Sequence, residues 1–376
     1  VVGSGPGGEG AAMKLAKSGC RVALIEREQR TGGSSTHCGT IPSKVLRHSI
    51  QMLADYRRNP LFKGVTEHIR PDYAAFLHNV DRVIEQQVSQ LNRYCERNHI
   101  TIYHGHASFV DAFRIQLRSN TSDGETLSAD YFVIASGSRP YHPPDIDFAH
   151  PRIHDSTSIL QLNATPNSLT IYGAGVIGCE YASIFCNLDC KVNLVNTRDR
   201  LLSFLDDEIT DALSYYLREQ GTVIRHNEEY DSVEGKDDGV ILHCRSGKKI
   251  KTDLLLWANG RTVNSDHMGL DQIGIETDNR GCIQVNEFYQ TSCLNIFAIG
   301  DVIGAPGLAS ASYDQGRYVG ARIAEPDVDW ELDREFPTGI YTSPEISSLG
   351  RTERELTTEG VPYEVGLANF SSIARA

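Results

Sequence analysis

At 376 residues the chain is long enough for two to three domains of roughly 150 residues each, and its net charge of −13 comes without any Lys/Arg block able to track a phosphate backbone. A 40% hydrophobic content, a mean hydropathy of −0.32 and no apolar run near the ~18 residues of a membrane span argue against bilayer insertion as well as nucleic-acid binding. Nine cysteines without CxxC spacing fit reduced thiols in a cytoplasmic protein better than a disulfide framework, so the 33 glycines and where they stand carry the reading.

Only Val1 and Val2 precede the run GSGPGG at Gly3 to Gly8, so the chain is expected to begin inside its first strand. An Ala-rich helix start follows, then an apolar strand, Arg21 to Ile25, closed by Glu26: a βαβ unit. Helical spacing predicts long helices over Ser43 to Tyr56 and Asp72 to Asn98, the second with Phe76, Val80, Val83, Val88 and Leu91 on its core face. Residues 100 to 118 read as a small strand meander, on which His104 and His106 flank Gly105 and would share a face; with no third ligand in the pattern, no metal site is expected.

A second fingerprint, GAGVIG at Gly173 to Gly178, lies between the strands Leu169 to Tyr172 and Lys191 to Val195, the latter closed by Asn196. Gly3 to Glu26 and Gly173 to Asn196 align without a gap at a constant offset of 170 positions, so the chain carries an internal repeat and two dinucleotide sites. In each, the first glycine allows the tight turn, the second lets the backbone approach a pyrophosphate, and the third permits close helix packing; the helix N-terminus supplies N–H donors to the phosphates. Glu26 is placed to accept from a ribose diol. Asn196 breaks that rule, because a neutral amide serves either the diol of NAD or the 2′-phosphate of NADP, with Arg198 and Arg200 either pairing the phosphate or solvating the loop. Cys186 and Cys190, four apart on the expected helix, read as small apolar fillers.

Tyr131 to Pro140 (YFVIASGSRP) and Leu254 to Asn264 (LLLWANGRTVN) are each a buried strand ending in Gly and Arg, as expected where a chain crosses between domains beside a cofactor. IFAIGD at Ile296 to Asp301 places an acid after a strand, ready to accept from a flavin's ribityl hydroxyls, and precedes a helix over Ser310 to Ala324. An apparent strand from Tyr363 to Phe370 comes late, and the visible sequence is expected to be a fragment.

The chain resembles the flavoprotein disulfide reductase superfamily, and within it most closely the soluble pyridine nucleotide transhydrogenases. The resemblance covers essentially all residues and rests on THCGTIPSKVLRH at Thr36 to His48, HPRIHDSTSIL at His150 to Leu160, IYGAGVIGCEYASIF at Ile171 to Phe185, NTRDRLLSFLDDEI at Asn196 to Ile209 and GIYTSPEISSLG at Gly339 to Gly350. It implies an α/β fold with two Rossmann-like dinucleotide-binding domains, the second inserted in the first: FAD-binding residues 1–142 and 265–334, NAD(P)-binding residues 143–264, and the beginning of an α+β dimerisation domain at 335–376. Disulfide reductases carry two redox cysteines four residues apart just before IPSK. Here those positions hold Ser35 and Thr40, and Cys38 between them has no cysteine within reach, so dithiol exchange lacks both its nucleophile and its resolving sulfur.

The resemblance further implies FAD bound by Gly3, Gly5, Gly8, Glu26, Gly33 and Asp301, and NAD or NADP bound around Gly173, Gly175, Gly178 and Asn196. Further cofactor contacts are expected at Pro6, Gly7, Arg27, Gly32, Ser34, Ser35, Thr40, Ser136, Gly137, Val176, Ile177, Thr197, Arg198, Asn259, Gly260 and Gly300. Lys44 and Glu180 match the superfamily's pair beside the flavin ring, and are read either as catalytic or as an ordinary salt bridge. The activity implied is reversible ping-pong hydride transfer between NADPH and NAD+ through bound FAD, in a cytoplasmic homodimer or higher homo-oligomer. Two alternatives stand beside it: an NAD(P)H reductase for a quinone or other non-thiol acceptor, and an inactive cofactor-binding fragment.

Overall fold

The computed structural model describes residues 1–62, 71–119, 122–327 and 329–369. Helix α1 (Pro6–Lys17) starts on a proline, whose fixed φ suits the first helical position. Strand β1 (Ala23–Glu26), the short α2 (Gly33–His37) and the long α3 (Thr40–Arg58) and α4 (Tyr73–Arg97) follow. Next come β2 (Thr101–His104), an antiparallel meander of β3 (His106–Asp111), β4 (Arg114–Ser119) and β5 (Ser122–Ser128), then β6 (Phe132–Ile134) and β7 (Ser138–Pro140).

The inserted unit runs through β8 (Ile153–Asp155), β9 (Ser168–Tyr172), α5 (Val176–Cys186), β10 (Lys191–Val195), α6 (Asp207–Glu219) and β11 (Val223–Arg225). A second meander, β12 (Tyr230–Lys236), β13 (Gly239–Cys244) and β14 (Lys249–Thr252), leads into β15 (Leu254–Trp257) and β16 (Arg261–Val263). The chain returns to the first unit with β17 (Ile296–Ala298) and α7 (Ala309–Ala324), and continues into β18 (Thr338–Ile340), β19 (Ile346–Ser348) and α8 (Glu353–Glu359).

Both units share one spatial strand order, although the outer strand next to the crossing strand comes last in the chain in the first unit (β17) and first in the second (β8). In the first, β2 pairs parallel with β1, Val2 bridges Ile25 on one side and Ile134 on the other, and β17 pairs parallel with β6. In the second, the order is β11-β10-β9-β15-β8, all parallel. In each, the strand feeding the fingerprint lies at the point where the chain reverses direction across the sheet, with its crevice at the carboxyl ends of the strands. The strands read as continuous apolar runs because both faces are covered, in the second unit by helices on one side and by β13 and β14 of the second meander on the other, and Leu254 to Trp257 are all buried. The two crossing segments meet each other: β16 pairs antiparallel with β7, Thr262 opposite Arg139.

The cores tie the units together. Leu46 and Ile50 of α3 and Val80 and Ile84 of α4 share one buried cluster with Ile171, Ile184 and Leu256 of the second unit, and Tyr73 stacks on Phe185 at 5.3 Å between ring centres. Leu91, further along α4, joins a different cluster with Leu15 and Leu24. The expected core face of this helix therefore serves two cores in succession.

Three local expectations are corrected, and one element is new. Cys186 and Cys190 do not share a helix: α5 ends at Cys186, and Asp189 takes a positive φ of 62° that turns the chain into β10. Both thiols nonetheless pack against the core, and burial pushes them up to about 11 and about 12. His104 and His106 do not share a face, because Gly105, at φ 153°, parts β2 from β3 and sends them into different sheets. The second meander is absent from the sequence reading, since β12 is largely exposed and lacks apolar alternation. Residues Tyr363 to Asn369 form no strand and lie exposed, an alternation of apolar residues without a ladder partner; Phe370, the last of that expected strand, and the residues after it lie outside the described residues.

The apposition of fingerprint and helix is close enough to test. A Cβ on Gly178 would come within 1.8 Å of the Gly173 carbonyl oxygen, whereas one on Gly175 would meet nothing within 4 Å. Gly178→Ala is expected to cost roughly 2 kcal/mol or more by overpacking and to lower Tm in a thermal melt, while Gly175→Ala leaves Tm close to that of the parent.

Candidate functional site

Gly5 and Gly175 stand at the N-caps of α1 and α5, at φ −67° and −78°, with no side chain to cap either helix. The first-turn N–H groups of a helix have no partners inside it, so both ends present donors and partial positive charge to an anion. Around Gly175 the space is open. Gly5 faces the Cα of Gly33 at 3.9 Å from where its Cβ would lie, and Gly33 itself, at φ 60°, could carry no Cβ without coming within 2.8 Å of the Gly5 Cα. Two bare backbones thus oppose each other at the mouth of the first crevice, as passage of a dinucleotide's pyrophosphate requires. Gly7 and Gly8 are buried in α1 and pack it inward.

Glu26 is 6% exposed at the end of β1. Its Oε2 accepts from the Ser4 amide at 3.1 Å and from the Ser4 hydroxyl, and its Oε1 accepts from the Glu28 amide at 2.9 Å. A carboxylate has about four acceptor positions, so capacity remains for a ribose hydroxyl. Ser4 Oγ also accepts from the Gly32 amide at 2.8 Å, tying the loop of Gly32 and Gly33 to the fingerprint. Arg27, exposed beside it, pairs with exposed Glu28 at 3.1 Å.

On the far side of the same crevice, the Gly300 amide donates to Gln315 Oε1 at 2.8 Å and sets the turn into Asp301. Asp301 Oδ2 accepts from Ser138 Oγ at 2.5 Å and lies 3.9 Å from Arg261 Nε. Arg261 in turn donates to Ser138 Oγ at 2.8 Å and to its carbonyl at 2.9 Å. Ser34 Oγ donates to that carbonyl at 3.4 Å, and Ser136 Oγ donates to the Asn264 carbonyl at 2.7 Å. Gly137 turns there at φ 71° with open space where a Cβ would be. The donors and acceptors fit the FAD that the superfamily resemblance implies.

Ser35 lies in α2, Cys38 caps the end of that helix, and Thr40 opens α3. One turn on, Lys44 Nζ is 3.4 Å from Glu180 Oε1, a residue of α5 whose side chain is 6% exposed. The same Oε1 accepts from the Tyr341 amide at 3.0 Å, and the Tyr341 ring lies 4.3 Å from Lys44 Nζ in a cation–π contact. Three distant stretches of chain meet there. Sequence reasoning missed Tyr341, although it stands inside the quoted stretch Gly339 to Gly350; nothing in a lone tyrosine signals a tertiary partner.

In the second crevice Asn196 is buried at the end of β10, where Glu26 stands in the first. Its Nδ2 donates to the Arg200 carbonyl at 2.6 Å and lies 3.4 Å from His226 Nδ1. Thr197 and Arg198 are exposed in the turn that follows. Neither nearby arginine is uncommitted: Arg198 bonds Ser203 Oγ, and Arg200 pairs with Asp207 and lies 3.8 Å from Asp199. Val176 and Ile177 form the first turn of α5 and pack on the core. The Asn259 amide would lie 2.9 Å from a Cβ on Gly173, and the Gly260 carbonyl, at φ 102°, accepts from the Tyr141 amide at 3.2 Å. Among the described residues no three His, Cys, Asp or Glu side chains converge as metal ligands, and no helix is long and apolar enough to cross a membrane.

The family model described as pyridine nucleotide-disulphide oxidoreductase matches residues 1–316. The chain belongs to the pyridine nucleotide-disulphide oxidoreductase family. This oxidoreductase is 56% identical over 376 residues to proteins of Citrobacter koseri and Escherichia coli, and 55% identical to one of Salmonella typhimurium, each named soluble pyridine nucleotide transhydrogenase; the alignment takes in 100% of this chain and 81% of each relative. Among solved structures it is similar to the HOCl-induced flavoprotein disulfide reductase RclA of Escherichia coli, with a TM-score of 0.88 and 26% identity over 100% of this chain and 82% of that one. LpdA of Mycobacterium tuberculosis shares the fold, with a TM-score of 0.89 at 23% identity over 96% and 80% of the two chains. The α/β architecture with two dinucleotide units agrees with both.

The acceptor shared by Lys44 and Tyr341 in this oxidoreductase gives a direct test. Glu180→Gln retains an acceptor oxygen of the same shape and is expected to stay within about 1 kcal/mol of the parent, whereas Glu180→Leu strands both donors and costs roughly 3 kcal/mol. Urea unfolding followed by circular dichroism distinguishes these outcomes.

Proposed function

We propose that the chain is an FAD-dependent NAD(P)+ transhydrogenase that moves a hydride reversibly between NADPH and NAD+. One observation carries the reading: two dinucleotide crevices open on one chain, and where disulfide reductases of this family hold a thiol pair this chain has Ser35 and Thr40. The names of the relatives that match along the whole chain support it.

Bound FAD supplies a two-electron store that one nicotinamide fills and the other empties. The chain's own part is position and charge. Gly3, Gly5 and Gly8 with the α1 N-terminus would seat the flavin dinucleotide's phosphates, Glu26 would accept from its ribose, and Asp301 with Ser138 would hold its ribityl chain. Gly173, Gly175, Gly178 and Asn196 do the same for whichever nicotinamide dinucleotide enters the second crevice. Lys44, held by Glu180 and covered by the Tyr341 ring, would offer bound FAD a fixed positive charge that favours its reduced, anionic form. No general acid or base is required, so catalysis is positioning.

The nine free cysteines support a reducing compartment, and we assign the protein to the cytoplasm. Exposed Leu349, Val365 and Leu367, together in the last described stretch, support assembly as a homodimer.

Anaerobic reduction by NADPH followed by reoxidation with NAD+, watched through flavin absorbance, tests the reaction. Both half-reactions are expected, in Cys38→Ser as in the parent. Failure of reoxidation by NAD+ while a quinone still reoxidises the flavin would assign the protein instead to the reductases of non-thiol acceptors. For the second crevice, Asn196→Asp puts a carboxylate beside the 2′ position, and kcat/KM is expected to fall about tenfold or more for NADPH relative to NADH. Equal losses with both would remove Asn196 from the ribose site.

A further inference from the structure

Helix α8 lies beyond the residues that the family model matches, yet its contacts run to the turn that follows Asn196. Thr352 and Glu355 fix its start: the Thr352 hydroxyl accepts from the Glu355 amide at 3.3 Å, and the Glu355 carboxylate accepts from the Thr352 amide at 2.8 Å. From there the Glu353 amide donates to Asp206 Oδ1 at 2.7 Å, Arg354 Nη1 donates to the Ser203 carbonyl at 3.2 Å, and Arg354 Nη2 pairs with Asp207 Oδ1. Ser203 and Asp207 are the residues that hold the two arginines of the turn. Arg198 bonds Ser203 Oγ, and Arg200 pairs with the other carboxylate oxygen of Asp207. One guanidinium from a distant stretch of chain thus grips the anchor of each.

The backbone of the turn is held from the opposite side, by the fingerprint. Leu202, buried and at a φ of 40° that few bulky residues adopt, donates its amide to the Ala174 carbonyl at 3.4 Å, and the Arg200 carbonyl accepts from Asn196 Nδ2 at 2.6 Å. Arg200 also lines a cleft of about 530 Å³ with His226, whose ring lies 3.4 Å from the same Asn196 nitrogen. The path of the turn past Asn196 is therefore set by the second unit itself, while the side chains of exposed Arg198 and partly exposed Arg200 end on residues that α8 holds.

We propose that Arg354 is a positioning residue for NADP(H): through Ser203 and Asp207 it holds Arg198 and Arg200 where a 2′-phosphate meets them. The inference rests on the reading that Asn196 marks the ribose end of the second crevice, and it requires no choice between the two arginines, since Arg354 grips the anchor of each. Two effects act in the same direction. Long side chains on a surface turn lose rotamer freedom when they close on an anion, and less of it is lost when their anchors are already fixed. Asp207 also lies between two guanidinium groups; with Arg354 removed its whole charge falls on Arg200, and the field offered to a phosphate weakens. A ribose hydroxyl carries no charge and feels neither effect strongly. Because each arginine keeps its protein partner, the turn is no permanent clamp and NAD(H) still enters. The planar fork matters too, for Nη1 and Nη2 reach two acceptors at once, which an ammonium group does not reproduce.

The test measures binding of adenosine 2′,5′-bisphosphate and of 5′-AMP to the FAD-loaded protein by calorimetry, beside KM and kcat with NADPH and NADH. Arg354→Gln is expected to weaken the bisphosphate about fivefold without moving 5′-AMP, and to raise KM for NADPH while kcat holds. Arg354→Lys, which keeps the charge and loses the fork, is expected to recover part of the loss. In an Asp207→Asn background the path through the carboxylate is gone, and Arg354→Gln is expected to cost no more than about half of what it costs in the parent. Unchanged bisphosphate binding in Arg354→Gln, an equal loss of bisphosphate and 5′-AMP, or an undiminished loss in the Asp207→Asn background overturns the role of Arg354 while leaving Asn196 at the ribose. Should Arg354→Gln fail to fold or to retain FAD, Arg354→Lys decides: a loss confined to the bisphosphate supports the role, and a loss shared with 5′-AMP or no loss overturns it. If neither nucleotide binds the parent, the reading of the second crevice falls, and the role of Arg354 with it.

Discussion

The fold hangs on a contact in which there is no room for a side chain. In each unit the first glycine of the fingerprint turns back at positive φ, and the third presses its helix onto that turn so closely that a Cβ on Gly8 or Gly178 would stand 1.8 Å from the carbonyl oxygen of Gly3 or Gly173. This fixes the helix end over the carboxyl end of the sheet, where its unpaired N–H groups are useful. In the first unit the same economy extends outward: α1 and α7 meet backbone to backbone, since a Cβ on Gly316 would lie 2.1 Å from the Gly7 carbonyl oxygen. The helix that leads away from Asp301 is thereby locked to the helix that begins at the phosphate cradle. One close approach thus sets the relative positions of two walls of the first crevice contributed by chain segments some three hundred residues apart.

A second constraint joins the units. Glu180 is buried in α5, and a buried carboxylate is tolerated only when its charge is met; here Lys44 from α3 and the Tyr341 amide meet it. The shared apolar core of α3, α4 and the second sheet brings these elements together, and the polar triad then fixes their register. Such a pair adds little net stability, because desolvation offsets most of the Coulomb gain. What it does is hold one ammonium group at one place, against α5 and under the Tyr341 ring.

How much of this the sequence discloses follows from where each constraint resides. The fingerprints are legible because their glycines answer to local geometry at fixed spacing, and the gapless alignment of Gly3–Glu26 with Gly173–Asn196 reappears as one shared strand order. The buried strands are legible as apolar runs. Strand β12 is not, because one exposed edge of a meander needs no apolar period. The pairing of β16 with β7 is hinted at by the matching Gly and Arg of the two crossing segments, but their register is set by the meeting of the two units. Tyr341 and His226 are invisible for a further reason: each acts through a neighbour more than twenty residues away in sequence, Lys44 and Asn196, and no local pattern encodes such a neighbour. Misreading Cys186 and Cys190 as sharing a helix had a simpler origin, since the turn depends on Asp189 adopting a conformation that few non-glycine residues take.

The contrast between Glu26 and Asn196 carries the functional argument furthest. Both close the second strand of their unit and both are buried, but one is an anion that gathers three donors around it and the other an amide that spends its N–H on the Arg200 carbonyl. The first site keeps a single resident, so a fixed charge that selects one ribose is an advantage. The second must admit and release two substrates that differ only by a phosphate, and an enzyme that binds either too firmly gains no rate from doing so. A permanent guanidinium clamp would favour NADP(H) and a carboxylate would favour NAD(H). The neutral Asn196 amide commits to neither, which is what a relay between two nicotinamides through one crevice demands.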